Sequence, residues 1–164
     1  MINYEQLRDL IIKPALDDLQ LYSDAAVQLL LFTVASESDG GTYLQQIKGT
    51  AVGIYQIEPE TYMDMWQRYL RTRGDLIMKL SINFQVTTIP STDRLIYDLR
   101  YATAFARLIY LRVKVPLPAA DDVDGLWQYY KEHYNTPLGK AKKSQAIRKY
   151  HQFVGEASPK SLAS

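Results

Sequence analysis

The sequence predicts a mainly α-helical protein, and three observations support this fold class. Apolar residues recur at helical spacing in several segments, helix-capping residues precede these segments, and glycines or prolines follow them. One stretch, residues 42–58, departs from the pattern because it combines β-branched and aromatic residues with Gly49 and Gly53. We therefore expect a helical protein with one small insert, either irregular or a β-hairpin.

Two helices are predicted near the N-terminus. Apolar residues in 7–19 follow a helical period, and Pro14 predicts a kink or a restart within it. Ser23 is a suitable N-cap for a helix through DAAVQLLLFTVASES, which is apolar nearly all round and therefore belongs in the centre of a core. This helix should end near Gly40–Gly41, since glycine tolerates the left-handed backbone of a helix exit.

Proline, glycine and acidic residues set the expected bounds of the later helices. We expect a helix from Pro59 to about Gly74, a weaker one over residues 75–83, one long helix from Ser91 or Thr92 to before Pro116, a helix capped by Asp121 or Asp122, and a last helix from Lys143 to Val154 that ends at Gly155.

The length predicts one domain. A chain of 164 residues can bury a sizeable core but is too short for two independent ones. We assign residues 1–155 to this domain and residues 156–164 to a flexible C-terminal tail.

Composition argues against several function classes. The net charge of +1 is unlike that of a dedicated nucleic-acid binder. Without cysteine, and with His133 and His151 lying 18 positions apart with no paired acid at metal-ligand spacing, we assign no metal site and no cofactor. The sequence shows no signal-peptide pattern and no apolar run of membrane-spanning length. The C-terminal end is basic and forms either a solvated helix face or a site for an anionic polymer; its cations are Lys140, Lys142, Lys143, Arg148, Lys149 and Lys160.

A glutamate stands where the apolar helix meets the glycine pair. Glu37 follows LLLFTVAS, at the negative end of the helix dipole, and burial also disfavours a carboxylate there. Both effects raise the pKa of its carboxyl group, and an acid that stays protonated near neutral pH can protonate a glycosidic oxygen. From the helix pattern alone, the simpler alternative of a solvent-exposed helix end stays open.

The residues from Glu37 onward resemble a known family signature. ESDGGTYLQQIKGTAVGIYQIEPETY is similar to the segment of soluble lytic transglycosylases and goose-type lysozymes in which a Glu-Ser pair ends a buried helix. A loop with the string Gly-hydrophobic-X-Gln-hydrophobic-X-Pro-X-Thr follows the pair. The matching residues are Glu37, Ser38, Gly53, Ile54, Gln56, Ile57, Pro59 and Thr61.

Two later segments resemble further motifs of the same family, with departures. DLRYATAFA is similar to its Asn-Ile-X-X-Gly helix, and HYNTPLGKAK is similar to its Ala-Tyr-Asn-Ala-Gly motif. The first places Asp98, Leu99 and Ala102 at the positions of Asn, Ile and Gly. The second keeps Tyr134 and Asn135 but has Thr and Pro where the family has Ala and Gly.

The resemblance implies a lysozyme-like fold and a peptidoglycan-degrading enzyme that cleaves the bond between N-acetylmuramic acid and N-acetylglucosamine. Glu37 would be the catalytic general acid, and Tyr134 would hydrogen-bond it and hold its orientation. The implied substrate-binding residues are Ser38, Gly53, Ile54, Tyr55, Gln56, Tyr134 and Asn135.

The reaction type depends on a second carboxylate. A hydrolase needs one, either as a nucleophile or to activate water. Residues 48–55 hold no Asp or Glu, which favours a lytic transglycosylase that uses one glutamate and closes a 1,6-anhydro ring. Glu58 is the reserve acid. The alternatives are a hydrolytic lysozyme with a second acid and an inactive lysozyme-like structural protein of a phage tail.

The family likeness also implies a source and partners. Short lysozyme-like chains without a signal peptide resemble phage-encoded enzymes, either endolysins released through a holin or virion-associated enzymes. We therefore expect action on the bacterial cell wall, in the periplasm, from a phage virion or an infected host cell. The expected partners are peptidoglycan glycan strands and phage tail or baseplate proteins, with no nucleic acid and no membrane span.

Overall fold

The chain folds mainly into helices, as predicted. A computed structural model describes residues 1–136 and 138–155. The predicted tail, residues 156–164, lies outside the described residues. The helices are α1 (Tyr4–Gln6, Leu7–Ile12 and Lys13–Asp18), α2 (Asp24–Ser38), α3 (Pro59–Asp64, Met65–Tyr69 and Leu70–Thr72), α4 (Gly74–Phe84), α5 (Arg94–Tyr97), α6 (Leu99–Leu111), α7 (Val123–Tyr130 and Lys131–Asn135) and α8 (Lys143–Val154). None of these helices is long and apolar enough to cross a membrane.

Helix α2 is the centre of the core. Its buried side chains lie on every face, and α1, α6, α7 and α8 pack around it. The Ser23 hydroxyl accepts the N–H of Ala26 at 3.0 Å, which confirms the predicted N-cap. At the other end Asp39 takes the left-handed conformation, with φ of 50°, and donates its N–H to the carbonyl of Val34. A helix that is apolar all round is stable in water only when neighbours enclose it, and here they do.

Helix α1 continues through its proline. Pro14 lacks an N–H, and its ring crowds the carbonyl four residues earlier. The preceding turn is widened into a π-helix over Leu7–Ile12, and the N–H of Lys13 reaches back five residues to the carbonyl of Arg8. The wider turn accommodates the ring, so the predicted restart does not occur.

The predicted long helix from Ser91 or Thr92 is wrong, because Asp98 divides it into α5 and α6. Asp98 has an extended backbone, with φ of −107° and ψ of 93°, and its carboxylate accepts the N–H of Tyr101 at 3.0 Å. The same carboxylate pairs with Arg94 at 3.0 Å. A short acidic side chain competes with the helical backbone for hydrogen bonds, so Asp98 acts as the N-cap of α6.

The insert between α2 and α3 is irregular, which is one of the two forms that the sequence predicted; its described residues do not form a β-hairpin. Val52 makes two isolated antiparallel bridges, one with Gln45 and one with Ile57, and the described residues form no strand here. The backbone bonds between Val52 and Ile57 are 3.0 Å long in both directions. Gly53 lies buried next to this contact with φ of 78°.

We predict that Gly53→Ala destabilises the protein by about 2 kcal/mol or more. The left-handed backbone disfavours a Cβ, and that atom would also collide with the carbonyl oxygen of Leu95. Gly74→Ala is the matched control, because no atom lies within 4 Å of its added Cβ and it opens α4. Urea denaturation of both variants checks this; equal stability of the two would contradict it.

Candidate active site

A buried hydroxyl joins the end of α2 to the insert. The side chain of Ser38 is fully buried and donates a hydrogen bond of 2.6 Å to the carbonyl of Ile54. Its oxygen also accepts the N–H of Gly41 at 3.0 Å. These bonds hold the insert against the last turn of α2, so the neighbouring Glu37 faces a wall made by the insert.

Glu37 lies where two depressions in the surface meet. The larger, of about 670 Å³, runs between the insert, the end of α6, α7 and the start of α8. The smaller, of about 360 Å³, is lined by the insert and includes Tyr43 and Ile47. Glu37, Gln46 and Gln56 line both. An elongated ligand can therefore extend to either side of the Glu37 carboxyl group.

Burial dominates the electrostatics of Glu37. It raises the pKa of the carboxyl group from 4.5 to about 7. Hydrogen bonds from Tyr130 and Asn135 and the positive charge of Lys149 lower this pKa, while the negative charge of Glu58 raises it. The direction predicted from the sequence is confirmed. A carboxyl group with this pKa is about half protonated near pH 7, so it can give up a proton and take one back.

Tyr130, not Tyr134, holds Glu37. The Tyr130 hydroxyl donates a hydrogen bond of 2.7 Å to Glu37 Oε1. Tyr134 instead donates to the backbone carbonyl of Tyr55 at 2.6 Å and so fixes the insert. The two rings stack with centroids 6.2 Å apart. The predicted bond from Tyr134 to Glu37 is therefore wrong. Residues four apart share a helix face, and spacing alone does not say which of them reaches the acid.

Four of the predicted substrate-binding residues do not line either depression. Ser38, Ile54 and Tyr55 have no exposed side-chain surface, and Gly53 is also buried. The Tyr55 hydroxyl instead bonds the Thr103 hydroxyl at 2.9 Å, inside the core. These side chains position the backbone of the insert, and contact of that backbone with a substrate stays a prediction.

The other predicted binding residues do line the larger depression: Gln56, Tyr134 and Asn135. Gln56 adopts the left-handed conformation, with φ of 46°, and its side-chain amide donates to the carbonyl of Gly53 at 2.8 Å. A non-glycine residue in this conformation is strained, and such strain is concentrated at functional sites.

Glu58 is exposed and lines the same depression as Glu37. It precedes α3, and its Oε2 accepts a hydrogen bond of 2.6 Å from the Thr50 hydroxyl. The larger depression, which we call the cleft, thus contains a second carboxylate. The residue that supplies it lies outside the range 48–55, which holds no acid. The described residues contain no group of three or more side chains suited to hold a metal ion.

Cations line the larger depression: Arg112 at the end of α6, Lys140 and Lys142 just before α8, and Lys149 within α8. Lys149 pairs with Asp39 at 2.7 Å, and Arg112 pairs with Asp64 at 3.5 Å. The basic C-terminal end was visible in the sequence, but its position opposite Glu37 follows from the packing of α8 on α2, which charge pattern does not encode. Arg112 was not identified from the sequence, and no motif marks it.

Comparison with known proteins yields no relative. No family model matches the chain, and neither a curated protein nor a solved structure matches it. The functional proposal therefore rests on the residues and the geometry of the cleft.

We predict that Tyr130→Phe raises the pKa of Glu37 above its value in the unchanged protein. The lost hydrogen bond stabilises the ionised carboxylate, so its removal favours the protonated form. Tyr134→Phe is the control, since its hydroxyl bonds the carbonyl of Tyr55 and not the acid. NMR titration of the Glu37 side chain measures both. An unshifted pKa in Tyr130→Phe, or an equal shift in both variants, would refute the assignment.

We also predict that Glu37→Gln stabilises the protein at pH 8 but not at pH 4. The folded protein binds the Glu37 proton more tightly than the unfolded chain, so stability falls as the pH rises from 4.5 to about 7. Glutamine does not ionise, and the variant should gain on the order of 3 kcal/mol at pH 8. Denaturant unfolding at the two pH values tests this, and a gain of equal size at both would count against a buried acid.

Proposed function

We propose that this protein is a lytic transglycosylase of lysozyme-like fold that cleaves the glycan strand of peptidoglycan at the bond between N-acetylmuramic acid and N-acetylglucosamine. The observation that carries the proposal is the carboxyl group of Glu37, whose pKa is raised to about 7 and which lies at the meeting point of two surface depressions. The Glu-Ser pair, Gln56 and Pro59 of the motif add to it.

In the proposed reaction Glu37 acts twice. Its protonated carboxyl group gives a proton to the glycosidic oxygen, and the bond from that oxygen to C1 of the muramyl sugar breaks. The resulting carboxylate then takes the proton of the C6 hydroxyl of the same sugar, and O6 bonds to C1. The products are a free 4-hydroxyl and a 1,6-anhydro ring, Glu37 is protonated again, and no water is consumed.

The surroundings of Glu37 suit both halves of this cycle. Burial favours the protonated form that starts the reaction, and the Tyr130 bond supports the ionised form that follows. A pKa near the working pH lets one group serve as acid and then as base. The Tyr130 bond also fixes the direction of the carboxyl group, which a single acid needs in order to reach two oxygens in turn.

The shape of the site supports a polymeric substrate. A strand that crosses Glu37 would occupy the larger depression with one part and the smaller depression with the other. The polar side chains of Gln46 and Gln56 line both depressions and are suited to bond sugar hydroxyl and acetamido groups. The proposed site of action is the bacterial wall, and the family likeness favours a phage enzyme.

A hydrolytic lysozyme is the second candidate, and the position of Glu58 favours it. Its carboxylate lines the larger depression together with Glu37 and raises the pKa of that acid by its negative charge. An inverting hydrolase would use such a carboxylate to activate water, at about 6.5–9.5 Å from the acid. In that reaction Glu58 would be essential.

Mass spectrometry of digested peptidoglycan tests the proposal and separates the candidates. We expect muropeptides with 1,6-anhydro ends, at least a thousandfold loss of activity in Glu37→Gln, and less than a tenfold loss in Glu58→Gln. Reducing ends, together with a severe loss in Glu58→Gln, would establish the hydrolase instead. No release of muropeptides from any wall preparation would remove both candidates.

A further inference from the structure

The larger depression carries more positive charge than the proposed chemistry requires. Four cations face two carboxyl groups in its lining. Lys149 and Arg112 have ion-pair partners, whereas Lys140 and Lys142 are exposed and pair with no acid among the described residues. The sugar rings of the glycan are uncharged, so they give these two lysines no partner. The cleft therefore fits a ligand that carries negative charge as well as sugars.

The two lysines line the same depression as the acid and follow a braced loop. Lys131 Nζ donates to Asn135 Oδ1 at 2.8 Å and to the carbonyl of Gly139 at 2.7 Å. Lys140 follows that glycine directly, and the Asn135 side chain hydrogen-bonds Glu37. A negative group bound here would thus lie in the same depression as the proposed reaction centre.

Lys142 stands at the start of α8, which adds to the positive field. It occupies the N-cap position, and no side chain of the described residues caps the first N–H groups of the helix. Free N–H groups at a helix start carry partial positive charge. Lys142, which lines the cleft, places a full charge next to them. The arrangement favours carboxylates over neutral groups.

We propose that Lys140 and Lys142 bind carboxylates of the peptide stem attached to the muramyl sugar, so that the enzyme prefers glycan that carries stems. This inference rests on the proposed function. The stem is attached to the same sugar whose C1 is attacked, so its carboxylates are tethered to the reaction centre and can reach lysines that line the same depression. A phosphate polymer of the wall has no such fixed link to the cleaved bond, and for that reason we assign the lysines to the stem.

The test compares two substrates from one wall preparation: glycan strands with intact stems, and strands from which an amidase has removed the stems and whose freed lactyl carboxyl groups have then been converted to amides. We expect the unchanged protein to cleave the stem-bearing strands about tenfold faster at low salt, which corresponds to two partly exposed ion pairs. The Lys140→Gln, Lys142→Gln double variant should lose most of this ratio. The ratio should also fall as salt is added, because surface ion pairs are screened.

Lys143→Gln is the matched control, since Lys143 pairs with Asp124 at 3.1 Å and does not line the cleft. It should keep the ratio of the unchanged protein. Equal rates on both substrates, or a double variant that keeps the ratio, would overturn the inference while leaving the proposed function intact.

A binding measurement separates failure of the inference from failure of the proposed function. Calorimetry with muramyl tetrapeptide and with N-acetylmuramic acid whose lactyl carboxyl group is converted to an amide needs no cleavage. Tighter binding of the tetrapeptide, lost in the double variant, supports the assignment even if neither strand is cut. Equal binding of the two ligands, or tighter binding of a glycerol phosphate oligomer than of the tetrapeptide, overturns it.

Discussion

The hydrogen bond from the Ser38 hydroxyl to the carbonyl of Ile54 is the contact on which the site depends. At 2.6 Å, and fully buried, it is the point where the central helix and the insert are joined. Loss of one partner would leave a buried polar group unsatisfied, at a cost of about 1–3 kcal/mol. It would also free the wall that faces Glu37. The raised pKa of Glu37 requires that wall, because burial is its largest cause.

Helix ends were predictable where one residue type decides them. Ser23 and Asp122 cap their helices as the sequence indicates, and α8 spans the predicted Lys143–Val154. The break at Asp98 was not predicted because apolar residues continue at helical spacing on both sides of it. There the Asp98 carboxylate makes a hydrogen bond with Tyr101 and an ion pair with Arg94, and these interactions outweigh the apolar pattern. Only the folded arrangement reveals them.

The sequence predicted which helices and which insert form the candidate site, but it predicted less well what each side chain does there. Glu37 was singled out by its position together with the motif residues that follow it, and the raised pKa agrees in direction with the prediction. Which of the two tyrosines, Tyr130 or Tyr134, reaches Glu37 depends on the rotation of α7 about its own axis. That rotation is set by the packing of α7 against α2 and α6, which residue spacing does not specify. The inward direction of Ser38 and Tyr55 depends on packing in the same way.

Tyr55 makes the insert part of the core as well as part of the cleft. Its side chain bonds Thr103 on α6, and its backbone carbonyl receives the hydroxyl of Tyr134 on α7. A single residue thus connects the insert to two helices. Displacement of α6 would be transmitted through this residue to the tyrosines beside Glu37. The geometry of the cleft is therefore coupled mechanically to the core, and a substitution on α6 that touches no ligand can still change how the acid is aimed.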